Sequence, residues 1–169
     1  ANGFGNLASR VIAMVHRYFE GVLPAAGEYT DADLQVQKIA KDSVADADAA
    51  IEKVAIHDAI SAVWTLVDEL NNYITVQEPW VLAKDEVTRD RLATVLNTTV
   101  EGLRVLAVLL NPITPKATAK LWSAIGVSLG SIDDQHTADA GNWGQFTAGA
   151  AIGELEALFP RIETTEEAK

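Results

Sequence analysis

Gln77-Glu78-Pro79-Trp80-Val81-Leu82-Ala83-Lys84 breaks a long helical pattern and sets a tryptophan at the break. Proline has no N–H to continue the preceding helix, and it biases Glu78 away from the right-handed helical region. Trp80 is therefore expected to project from a corner, exposed, where a flat ring can stack on something planar. Before the corner, residues 56–76 place Ile56, Ala59, Ile60, Val63, Trp64, Val67, Leu70 and Ile74 at helical spacing. After it, residues 88–110 carry Leu92, Val95, Leu96, Thr99, Leu103, Leu106 and Leu110 until Asn111-Pro112 stops them.

The same reasoning extends to both ends. Residues 6–20 form a first helix on Leu7, Val11, Met14, Val15 and Tyr18, closed by Gly21 and Pro24. Thr30 with Asp33 resembles a cap opening a polar-rich helix to about Lys53, whose weaker apolar face is Leu34, Val36, Ile39, Ala40, Val44, Ala47 and Ile51. A short fifth helix spans 114–125, with Pro115 in its first turn, Gly126 past its end, and Leu121, Trp122 and Ile125 inward. Residues 127–153 lose helical periodicity, and Leu158-Phe159-Pro160-Arg161-Ile162 reads as an extended anchor. Short connections and single-sided apolar stripes predict an all-α fold: an antiparallel bundle of about five helices with an irregular C-terminal segment. The whole of 1–169 is expected to be a single domain, with 127–169 mostly loop and extended tail.

With 169 residues, 49% hydrophobic and 22% charged, the chain can bury a real core. The longest unbroken apolar runs, such as 105–110, fall well short of the ~20 residues that span a bilayer. The absence of cysteine removes disulfides and thiolate metal sites and fits a reducing cytoplasm. The opening Ala1-Asn2-Gly3-Phe4-Gly5, without an initiator Met, reads as the start of a piece of a longer protein. A net charge of −11 argues against a sequence-indifferent grip on nucleic acid, so any such contact must be local. Acidic residues crowd into 31–58, 133–139 and 163–167, whereas Arg10, Arg17, Lys84, Arg89, Arg91 and Arg104 lie elsewhere.

Catalytic signatures are missing. None of the three histidines sits in Glu-x-x-His or His-x-x-x-His, so no di-iron bundle site is expected. His16 and Glu20, one turn apart, read as a surface pair, His57 as structural, and His136 as a loop residue beside Asp133 and Asp134. No Gly-x-Ser-x-Gly, phosphate loop or Rossmann fingerprint occurs. Asn6, Arg10 and Arg17 share one stripe of the first helix, roughly 110 to 130° from its apolar stripe. The plain interpretation is a solvated flank with Arg10 paired to a carboxylate. The functional one is an amide and a guanidinium projecting together toward base edges. Trp64 and Trp122 are core residues by spacing, while Trp80, next to Lys84, fits a stacking platform.

Gly5-Asn6-Leu7-Ala8-Ser9-Arg10, then Asn72-Tyr73-Ile74 leading to Glu78-Pro79-Trp80-Val81-Leu82-Ala83-Lys84, resemble the anticodon-binding domain of methionyl-tRNA synthetases. Leu103-Arg104-Val105-Leu106-Ala107 to Asn111-Pro112, and the closing Leu158-Phe159-Pro160-Arg161-Ile162-Glu163, are similar to that family in the same order. The resemblance implies an α-helical bundle that reads the CAU anticodon of methionine tRNAs. Trp80 would stack on the anticodon, and Asn6 and Arg10 would hydrogen-bond base edges and backbone. It implies two partners, the methionine tRNA anticodon loop and the catalytic domain of the same synthetase, with no membrane and no DNA. It also implies no catalytic residue, metal or cofactor in this fragment, since ATP and Mg serve a catalytic domain absent here. His-Ile-Gly-His-like and Lys-Met-Ser-Lys-Ser-like motifs are absent from these residues. Two alternatives stand beside it: a helical module that binds a protein, and the same domain of a sister synthetase.

Overall fold

The computed structural model describes residues 2–160. Its helices in chain order are α1 (Asn2–Phe19), α2 (Asp31–Glu52), α3 (Ile56–Gln77), α4 (Pro79–Leu82), α5 (Arg89–Leu110), α6 (Pro115–Ile125) and α7 (Thr137–Ala140). Five of these, α1, α2, α3, α5 and the shorter α6, are the expected helices of the bundle. One starts earlier than expected: α1 begins at Asn2 rather than near residue 6, running straight through Gly3 and Gly5. Packing favours a glycine at the second of these, because a Cβ on Gly5 would stand 3.2 Å from the Phe159 ring.

The core lies around α5. The expectation of a single apolar stripe on this helix is wrong, because every residue from 94 to 110 is buried. Helices α1, α2, α3, α6 and α7 all pack against it, leaving no face for water. The stretch Glu86–Leu110 is long and apolar enough to cross a membrane by length and composition, yet 89% of its most apolar window is buried inside the bundle. Two of the polar groups trapped there find partners in carbonyls, Thr99 Oγ1 donating to Val95 O at 2.7 Å and Asn97 Nδ2 to Pro24 O at 2.9 Å, whereas the buried Thr98 hydroxyl has none among the described residues.

Several expected core positions are instead open. Leu34, Ile51, Ile56 and Ile60 are exposed, and Trp64 is only half-buried. Leu34 lies about 160° round α2 from the buried Val36, while Ile51 and Ile56 flank the tip of the α2–α3 hairpin. The strongest stripes, Leu7, Val11 and Val15 on α1 and Leu121, Trp122 and Ile125 on α6, are buried as expected.

Past α6 the chain carries one 3-10 turn (Ile132–Asp134) and the single turn α7, in keeping with the loss of periodicity. This region is nevertheless firmly attached. Arg104, 2% exposed, donates through Nε to Glu101 at 2.9 Å and through Nη2 to the carbonyls of Ala140 (3.1 Å) and Asn142 (2.7 Å). Glu101 Oε1 in turn accepts from the Phe146 N–H at 3.0 Å. Residues 21–23 then pair with 149–152: Leu23 N–H donates to Ala150 O and Ile152 N–H to Gly21 O, each at 2.8 Å. Leu158 is buried, and Phe159 meets Phe4 edge-on at 6.4 Å between ring centroids. The Arg161 and Ile162 part of the expected anchor lies outside the described residues.

The histidines differ from expectation in two places. His16 is not a free surface partner of Glu20, because its Nε2 is 2.9 Å from Gly153 O and its ring sits against the C-terminal segment. His57 is not structural, since its side chain is 95% exposed and meets only Asp58, at 3.9 Å.

Candidate nucleic-acid interface

Pro79 and Glu78 shape the corner as their chemistry requires. Glu78 takes the left-handed conformation (φ 47°, ψ 59°) and its N–H closes α3 on Ile74 O at 3.0 Å. A residue before proline is pushed out of the right-handed region, and this one ends the helix outright. Pro79 then opens α4 as its first residue, where a missing N–H costs nothing. Trp80 therefore sits in a defined helical turn rather than an irregular corner. Thr88 Oγ1 closes the far end of that turn by donating to Leu82 O at 2.7 Å.

Trp80 is 37% exposed, so it is partly packed and partly presented to solvent. Asn6 and Arg10, one turn apart on α1, are both exposed. The fold brings two of the three expected site residues into contact: the Arg10 guanidinium stands 5.8 Å from the Trp80 ring centroid. Among the described residues Arg10 has no carboxylate partner, and Asn6 makes no side-chain hydrogen bond. The plain interpretation of Arg10 as half of an ion pair thus finds no support. At 5.8 Å, near the ~6 Å limit and in water, such a cation–π contact is worth about 0.5 to 1 kcal/mol. Stacking a base on the indole is worth about 1 to 3 kcal/mol, so a base can displace the guanidinium and leave it free to hydrogen-bond.

Other cations border this face. Arg17 lies on the exposed flank of α1 with its guanidinium 5.8 Å from the Tyr18 ring, and Lys84 is exposed just past α4. Arg89 is partly committed to the fold: it lies 4.6 Å from the Phe19 ring centroid and donates to Tyr18 O at 3.2 Å. Along α1 a groove of about 540 Å³ runs against the C-terminal segment, lined by Ser9, Ile12, Ala13, His16, Arg17 and Leu155 among others.

Beneath the corner lies a buried polar cluster that sequence reasoning missed. Asp33, fully buried, accepts from both prongs of Arg91 at 2.6 and 2.9 Å, from the Tyr73 hydroxyl, and from Thr30 N–H at 2.8 Å. Arg91 Nη2 also donates to Gln77 Oε1 at 2.7 Å. Burial alone would raise the Asp33 pKa, but Arg91, Tyr73 and Thr30 outweigh it and hold the carboxyl below its ordinary value. Burial and the neighbouring carboxylate push the Tyr73 hydroxyl up, and the bond to Asp33 raises Arg91. The Thr30 and Asp33 cap was the one visible trace of this cluster. Nothing in the sequence tied it to Arg91, 58 positions later.

The family model described as the anticodon binding domain of methionyl tRNA ligase matches residues 23–169. The methionine–tRNA ligase of Streptomyces coelicolor is 48% identical over 168 residues, covering 96% of this chain and 31% of that protein. That of Caldanaerobacter subterraneus is 34% identical over 167 residues, covering 99% of this chain and 26% of its own length. Mycobacterium tuberculosis methionyl-tRNA synthetase, solved with methionyl-adenylate, superposes with a TM-score of 0.84 at 32% identity, covering 95% of this chain and 31% of that one. The chain thus spans a quarter to a third of the length of these relatives. A match over most of its residues, on a helical bundle with the same fold, places this chain in the family of anticodon-binding domains of methionyl-tRNA synthetase.

Proposed function

We propose that this domain recognises the CAU anticodon of methionine tRNAs, with Trp80 stacking on a base while Asn6 and Arg10 hydrogen-bond base edges and backbone. The observation that carries this is the convergence of an exposed guanidinium and a presented indole 5.8 Å apart, with an amide one turn away on α1. Unstacked loop bases offer both their faces and their edges, which is what this combination addresses. With a net charge of −11, the domain relies on base-dependent contacts rather than a phosphate grip. A catalytic domain of the same synthetase, outside this chain, would carry out the ATP- and Mg-dependent aminoacylation and supply much of the affinity.

The test is binding of a CAU anticodon stem-loop and of stem-loops with altered triplets to the parent chain and to Trp80→Ala. The variant is expected to fold and to lose most of its preference for CAU. Unchanged affinity and preference in Trp80→Ala would overturn the stacking role. Preference of the parent chain for another triplet would point to a sister synthetase and sink the methionine assignment.

A further inference from the structure

We infer that the buried carboxylate of Asp33, acting through Arg91 and Gln77, positions the Trp80 turn for base stacking. The inference rests on the function proposed above and adds residues that touch no RNA.

Gln77 is the last residue of α3, and only Glu78 and Pro79 separate it from Trp80. Neither intervening residue has freedom to spare. Glu78 is held left-handed by its N–H on Ile74 O, and the ring of Pro79 fixes its own φ. The direction of the indole therefore follows the direction of Gln77. The Gln77 carboxamide is gripped by the same Arg91 nitrogen that donates to Asp33. One turn earlier on α3, Tyr73 is gripped by Asp33 itself. A single carboxylate and guanidinium, from the starts of α2 and α5, thus hold the last turn of α3 at two side chains.

Stability alone is a poor reason for this arrangement. Buried ion pairs often contribute little net stability, and well-packed apolar side chains of similar volume do as well or better. A planar two-pronged donor supplies direction, which an apolar filling cannot. The exposed end of that direction is Trp80.

Removing Arg91 would strand a buried charge and confuse folding with positioning, so the test is made at Gln77, which is partly exposed. In the 169-residue chain, Gln77→Leu removes the acceptor and Gln77→Glu keeps one. The Trp80 indole N–H is followed by NMR, assigned with Trp80→Phe, alongside stem-loop binding and melting temperature. For Gln77→Leu we expect a displaced or broadened Trp80 signal. The preference for CAU should fall roughly five- to tenfold, a large part of what stacking can supply, with Gln77→Glu restoring both. An unmoved Trp80 signal in Gln77→Leu, or parental preference, overturns the positioning role whatever happens to the melting temperature. If Trp80→Ala loses its preference while Gln77→Leu keeps it, the proposed function stands and only this inference falls. Parental preference in Trp80→Ala instead overturns the stacking role proposed above, and this inference with it.

Discussion

Replacing Arg104 with Met would remove the one cation that α5 buries while keeping most of its length. Three bonds disappear: the ion pair to Glu101 at 2.9 Å and the donations to Ala140 O and Asn142 O at 3.1 and 2.7 Å. Glu101, 1% exposed, is left without its counter-charge, keeping only the Phe146 N–H. Breaking a buried pair from one side costs about 3 to 5 kcal/mol, because the remaining charge is neither solvated nor paired. Against a total stability of about 5 to 15 kcal/mol this is a large fraction. At about 2 to 4 °C per kcal/mol for a chain of this size, the melting temperature should fall by roughly 6 to 20 °C. Thermal and urea unfolding followed by circular dichroism measure the loss, and hydrogen exchange at Phe146 reports whether the 140–146 segment has detached. The double variant Glu101→Leu with Arg104→Met strands no charge and should regain at least about 1 kcal/mol. A single variant losing less than about 1 kcal/mol, or a double variant as unstable as the sum of its parts, would refute this account of the clamp.

The Asp33 cluster makes stability depend on pH in a known direction. A carboxyl held below its ordinary value in the folded state contributes stability above its unfolded pKa of about 4, and loses it as pH falls through the lower folded value. Unfolding scans from pH 6 downward should show this acid limb weakened in Asp33→Asn. Tyr73 works in the opposite sense: its raised pKa favours the protonated phenol in the fold, so stability should decline as pH rises past about 10, less so in Tyr73→Phe. Gly21→Ala should cost more than about 1 kcal/mol, since φ is +76° and the new Cβ would lie 2.8 Å from the His16 ring. Loss of protection at the Ile152 amide, which bonds Gly21 O, would show where the damage lands.

The five main helices were legible because their apolar residues recur at helical spacing, weakly in α2 and strongly elsewhere, and because several of their ends are written in Pro79, Pro112, Pro115 and Gly126. The misplacements share a cause. Local periodicity says which face is apolar, and it cannot say whether another element covers that face. Ile51 and Ile56 had the right spacing but stand at a hairpin tip. The polar side of α5 looked solvent-facing, and α2 and the C-terminal segment cover it. Asn6, Arg10 and Trp80 were put forward through an ordered set of motifs, and the fold brings Arg10 and Trp80 into contact. Asp33, Arg91 and Gln77 were not found, because their link spans three helices and each residue alone is unremarkable in a polar stretch.

The bond from His16 to Gly153 joins residues 137 positions apart, and the bridge between Val22 and Ala151 reinforces it. Helix α1, which carries Asn6 and Arg10, thus has one flank closed by residues near the other end of the sequence. Within this domain α1 is made before the helices it packs on, α3 and α5, and its flank at His16 is completed only by the stretch around 150, which follows them all. Contacts of such separation form slowly because a long loop must close before they are made. Nascent chains would therefore hold the helical bundle with the His16 flank of α1 still uncovered, and that flank would be among the last parts of the domain to be completed.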